Sequence, residues 1–111
     1  MTLQMTTWYW VTTVYNDGTV HTPVKPDVFS LTFGDDGNVN VTTDCNNLRG
    51  NVVVDENRIQ FGQMMSTRMY CEDSQEQLFS KMLDNISSYF FTDRGQLVLE
   101  IKFDSGSMIF R

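Results

Sequence analysis

The stretch Leu97-Val98-Leu99-Glu100-Ile101-Lys102-Phe103 decides the class of fold. Leu97, Leu99, Ile101 and Phe103 recur at every second position, which sends four apolar side chains to one face of an extended strand. Outward from it the same grammar repeats. Asp93-Arg94-Gly95 precedes the stretch and Asp104-Ser105-Gly106 follows it. Asn16-Asp17-Gly18, Asp35-Asp36-Gly37 and Asp55-Glu56-Asn57 mark further turns, because Asp, Asn and Gly tolerate the left-handed backbone of tight hairpins. Between them lie short β-branched and aromatic runs: Thr7 to Tyr15, Val28 to Phe33, Val39 to Val41, Val52 to Val54, Ile59 to Phe61, Tyr89 to Thr92 and Met108 to Phe110. Trp8, Trp10 and Val14 are expected on one face of the first run, and Pro23 and Pro26 mark a loop or frayed edge after it.

One stretch breaks the pattern. From about Gln75 to Ser88, Leu78, Phe79, Met82, Leu83 and Ile86 recur at helical spacing. Ser74 precedes them as an N-cap, with Gln77 three residues on as in a capping box. The expectation is a mainly β domain. It has a small antiparallel barrel-like sheet of six to eight strands and one principal helix over about residues 75–88. Trp10, Phe29, Leu31, Phe33, Val41, Ile59, Phe61, Leu83, Leu99, Ile101 and Phe110 are the predicted core.

Composition bounds the rest. A chain of 111 residues, 41% hydrophobic, fits one domain with one core. Its net charge of −6 repels phosphate backbones and anionic lipid surfaces, so nucleic-acid binding is not expected. No apolar run is long enough to span a bilayer as a helix. Met1 to Met5 lacks the basic and apolar regions of a signal peptide. Residues 1–6 are expected to be disordered or extraneous, and residues 7–111 to form the domain.

Few residues offer chemistry. Cys45 and Cys71 suit either one disulfide or two unpaired thiols. A nucleophilic thiol needs a neighbour that lowers its pKa; Cys71 lies just before the helix and near Arg68, but no Cys-x-x-Cys pair exists. His21 is the only histidine, so a zinc site lacks ligands, and a solvated loop histidine is expected. Asp35-Asp36-Gly37-Asn38 resembles part of a calcium loop, but the glycine comes too early and no Glu follows at the right spacing. A hairpin accounts for it. Met64, Met65 and Met69 are read as core filling. Asn40-Val41-Thr42 and Asn85-Ile86-Ser87 are glycosylation sequons, the second on the predicted helix.

Two local patterns carry a resemblance. One is Asp44-Cys45-Asn46-Asn47-Leu48-Arg49-Gly50-Asn51. The other is Phe61-Gly62-Gln63-Met64-Met65-Ser66-Thr67-Arg68-Met69-Tyr70-Cys71, which runs into the helix. Together they resemble the META domain, or HslJ-like, family over nearly the whole chain. Asn46, Gly50, Thr67, Arg68 and Met69 stand at motif positions. Asp44 replaces a usual Gly, and Val52 stands where an aromatic is common. The resemblance implies a small β-rich, barrel-like domain with a helix, and a cysteine at each of two points close enough to pair as Cys45–Cys71. Many bacterial members are secreted or are envelope lipoproteins linked to stress response, drug tolerance or motility, and no catalytic residue, metal or cofactor carries over.

The expected function is therefore non-enzymatic. The chain would be a monomeric envelope or secreted domain that binds an unknown protein and supports a stress response. It would be periplasmic, lipoprotein-anchored or secreted if a signal precedes this segment. The alternative is a carrier for a small apolar ligand, which needs an internal cavity. A thiol enzyme is the third reading.

Overall fold

A computed structural model describes residues 1–67 and 69–111. Nine strands follow in chain order: β1 (Trp8–Tyr15), β2 (Val20–His21), β3 (Ser30–Phe33), β4 (Asn38–Thr42), β5 (Asn47–Asp55), β6 (Arg58–Ser66), β7 (Ile86–Phe91), β8 (Leu97–Ile101) and β9 (Gly106–Phe110). Among the described residues a single α-helix, α1 (Glu76–Asp84), lies between β6 and β7. Every pairing is antiparallel. The sheet order is β2-β1-β3-β4-β5-β6-β7-β8-β9, and β9 pairs back onto β1. The two-residue β2 hangs off β1, so the other eight strands close a ring. Closure removes most free edges and encloses the predicted core, whose members are all buried.

The ring is filled by side chains. Trp10, Phe29 and Phe79 form a mutual aromatic cluster with centroid separations of 5.2, 5.1 and 4.9 Å. Phe79 comes from α1, and with Met82 and Leu83 it plugs the core from the helix. Burying a Phe in such a cluster contributes roughly 1.5–3 kcal/mol from area alone.

The structure corrects four local expectations. Trp8 and Trp10 point inward, but Val14 is exposed and Thr13 is buried. A register irregularity between Trp10 and Thr12 in the β1–β9 pairing shifts the alternation by one residue. Thr13 Oγ1 then accepts a hydrogen bond from Trp10 Nε1 at 3.0 Å, which satisfies both buried groups. Second, α1 ends at Asp84 rather than Ser88. Ile86 keeps its place in the core, but from the first position of β7. Helical and strand spacing coincide for a single residue at a boundary, so periodicity could not separate them.

Third, Phe103 leaves the strand. β8 ends at Ile101, and Phe103 stands 96% exposed with φ 63° in the β8–β9 turn. Gly106, the expected turn glycine, lies in β9. A Cβ there would sit 2.5 Å from the Val14 carbonyl oxygen, so glycine is needed for close approach of β1. Fourth, Leu3–Met5 form a 3-10 turn, and Leu3 is buried in the core. The Leu3 carbonyl accepts from Trp8 Nε1 at 2.9 Å, which ties the N-terminal residues to the domain instead of leaving them disordered.

Candidate functional site

The residues with the most specific chemistry gather where the β4–β5 turn meets the start of α1. The chain turns at 43–46, and Thr43 Oγ1 accepts from the backbone N–H of Cys45 (3.1 Å) and Asn46 (3.0 Å), an ST-type turn that holds the corner. Cys45 is bonded to Cys71 with Cα atoms 5.8 Å apart, within the span a disulfide needs. The bond fastens this corner to the segment entering α1.

Asn46 is the centre of the arrangement and is buried. Its Oδ1 accepts from Thr67 Oγ1 and from the Met69 backbone N–H, both at 2.9 Å. Its Nδ2 donates to the Met69 carbonyl and to Glu76 Oε2, both at 3.1 Å. One amide thus uses both donors and two acceptor sites on partners from two distant segments. Glu76 also accepts from the Asn46 backbone N–H at 3.0 Å and from Thr43 Oγ1 at 2.6 Å. Its carboxylate, in the first turn of α1, receives these donors where the helix dipole favours negative charge.

Asp44 completes the joint. Its Oδ2 accepts from the Gln75 backbone N–H at 2.9 Å, and its Oδ1 accepts from the Ser74 hydroxyl. Ser74 Oγ accepts from the Glu76 N–H at 3.0 Å, but the N-cap position is Gln75 rather than the expected Ser74. The Ser74 N–H donates to the Cys71 carbonyl rather than to Gln77, so the expected capping box is absent. Gln75 grips the proline-containing loop, donating from Nε2 to the Thr22 carbonyl (2.8 Å) and accepting from the Val24 N–H (2.9 Å).

Of the motif residues, Asn46, Thr67 and Met69 meet in this network. Gly50 lies away on β5, where a Cβ would sit 2.9 Å from the Gln63 carbonyl oxygen, so it permits close β5–β6 pairing. Arg68 lies outside the described residues. Thr43, Asp44 and Glu76 were missed as partners of the motif; their signal was the Thr-Asp-Cys-Asn corner itself, which invites a side-chain-capped turn. The methionine reading is corrected: Met64 packs against the core, while Met65 and Met69 are 81% and 61% exposed. Met65 alternates outward from Met64 on β6, and Met69 contributes backbone atoms to the joint.

The remaining candidates fall elsewhere. His21 stacks edge-on against Tyr15 on β2, with centroids 5.9 Å apart. Asp35-Asp36-Gly37 is the β3–β4 turn, with Gly37 at φ 79°. The Asn38 side chain and backbone N–H hold the Asp36 carboxyl below the usual carboxylate range, and Arg49 adds a weaker attraction across 3.3 Å. The Thr19 backbone N–H does the same for Asp17. Among the described residues, no group of three His, Cys, Asp or Glu is arranged to hold a metal ion. No helix among them is long and apolar enough to cross a membrane. Asn40 stands on β4, and Asn85 caps the C-terminus of α1 through the Lys81 carbonyl (2.9 Å).

A ring of antiparallel strands with a helical plug and a disulfide-fastened corner defines a small β domain braced at one end. The chain belongs to the META domain family, which matches residues 1–110. The fold is similar to the NMR structure of a protein from Burkholderia xenovorans, with 21% identity, a TM-score of 0.77, and coverage of 97% of this chain and 81% of that one. It is also similar to a DUF4847 family protein from Bacteroides vulgatus, at 18% identity and a TM-score of 0.73, covering 97% and 92% of the two chains. These likenesses carry the fold alone. No curated protein matches the sequence significantly.

Proposed function

We propose that this chain is a non-enzymatic binding domain that works in an oxidising compartment outside the cytoplasm, in the envelope or secreted, where it supports a stress response through a protein partner. One observation carries the reading. The most reactive groups in the molecule are spent on bracing: both thiols are joined to each other, and Asn46 and Glu76 are engaged in the same joint. Disulfides form and persist in oxidising compartments. A nucleophile with a neighbouring base and an orienting group, which enzymatic thiol chemistry needs, has no counterpart in a closed disulfide. A carrier for an apolar ligand needs an interior volume, and here the interior is occupied by Trp8, Trp10, Phe29, Phe79 and Phe110 in a packed cluster.

Iodoacetamide labelling of the native protein, read by intact mass, tests the proposal. The expected result is no alkylation until a reductant is added. Fast alkylation of Cys45 or Cys71 at neutral pH without reductant would revive the thiol enzyme and overturn the reading.

A further inference from the structure

The ring is unevenly sewn. β6 pairs with β5 over Arg58 to Phe61 and again over Met64 to Ser66, with an irregularity at Gly62 and Gln63, but it meets β7 at one position only, Arg58 with Ser88. The reason is the path of the chain. After Ser66 it crosses to the disulfide corner and returns as α1, and it becomes a strand again only at Ile86. Among the described residues, β6 from Gln60 to Ser66 therefore has strand pairing on one side only. Seven residues of open edge span roughly 20 Å. Backbone groups along such an edge template another strand.

A groove of about 660 Å³ runs along this edge. Phe61, Gly62 and Met64 line its β6 wall. Gln77, Ser80, Lys81 and Asp84 line the opposite wall, at the spacing of one face of α1. Glu76 closes one end. The groove thus combines open-edge backbone, the partly accessible Met64 and a polar rim with two carboxylates to one lysine.

We propose that this groove binds an extended peptide segment of a protein partner, which adds as a strand to β6. The segment alternates apolar with polar side chains and carries flanking basic residues. Main-chain bonds to the β6 edge supply affinity, and an apolar side chain of the segment meets the half-buried Met64. The basic flanks answer Glu76, Asp84 and the net charge of −6. A second copy of this domain carries the same net charge of −6 and the same two carboxylates to one lysine, so it supplies no basic flanks to answer them. This inference rests on the binding-domain reading and names the site and partner class for it.

The test uses the isotope-labelled full chain and one probe, the blocked heptapeptide Lys-Val-Thr-Val-Thr-Val-Lys. Titration is followed by amide shifts. The expected result is saturable shifts concentrated at Phe61 to Ser66, with affinity falling about tenfold or more when alternate peptide nitrogens are methylated, which removes the strand's donors. Gln77→Trp, at an exposed position on the rim, should fill the groove and weaken binding similarly while circular dichroism stays unchanged. Equal binding of the methylated peptide, or no shifts at millimolar peptide, would overturn the proposal. So would a concentration-dependent dimer that protects the same amides without peptide. Shifts confined to another surface also overturn it, yet they leave the binding-domain reading standing; alkylation of the native thiols would sink that reading without touching the groove.

Discussion

Asn46 shows how much one buried amide can organise. Its side chain joins Thr67 and Met69, on one arm of the disulfide loop, to Glu76 at the start of α1. Each such bond contributes only about 0.5–1.5 kcal/mol net, but leaving buried partners unsatisfied costs more. Asn46→Leu keeps the branched shape with bulkier methyls and removes every hydrogen bond of the side chain. It should lower unfolding stability by about 2–4 kcal/mol in urea denaturation. Asn46→Asp gives a sharper test because its sign depends on pH. The new carboxylate would face Glu76 Oε2, which now receives Nδ2 at 3.1 Å. Two carboxylates that close resist ionising together, so the folded state holds a proton that the unfolded chain releases near neutral pH. Stability of this variant should therefore rise as pH falls from 7 towards about 4, opposite to the usual trend for paired carboxylates. A variant that only loses stability on acidification would show that the two groups do not face each other.

At the scale of elements, the β8–β9 turn is the clearest departure from local rules. Phe103 and Asp104 both take left-handed backbone, at φ 63° and 54°. A bulky residue there costs on the order of 1 kcal/mol or more relative to glycine, and an exposed Phe ring gives little back through burial. Phe103→Gly should leave stability unchanged or raise it by up to about 1 kcal/mol, measured as a shift in denaturation midpoint. A loss above about 1 kcal/mol would mean that the ring packs against the fold after all. The same turn shows why alternation misled the reading of Leu97 to Phe103. Leu97, Leu99 and Ile101 obey it because β7 and β9 flank them on both sides. Phe103 continues the period in sequence, but the pairing ends at Ile101 with Gly106, so nothing holds the chain extended beyond it.

At the scale of the molecule, the disulfide and the polar joint are two independent fasteners across the same gap. The bridge links residues 26 apart in sequence. Loop-closure entropy for such a ring gives roughly 3–4 kcal/mol of stabilisation. Asp44, Ser74, Asn46 and Glu76 hold the same two segments without it. Reduction should therefore cost about 3–4 kcal/mol in chemical denaturation while the near-ultraviolet spectrum of the packed Trp10 and Phe79 cluster persists. Collapse of that spectrum on reduction alone would show that the polar joint cannot act unaided.

Most strands, most of their inward residues and the approximate helix start were legible in the residues, because alternation and turn chemistry are local properties, while the pairing of the two cysteines came from the family resemblance. Leu31 and Val41 declare themselves by their polar neighbours Ser30, Thr32, Asn40 and Thr42, and both are buried. Three things waited for the tertiary structure. The inward turn of Thr13 depends on an irregular pairing with β9. The joint around Asn46 depends on Glu76, thirty residues away in sequence. The open edge of β6 exists because a helix stands where the neighbouring strand would have continued. Each is a matter of which partner occupies the other side of a strand or a turn, and a chain records its own hydrogen-bonding groups without recording who will answer them.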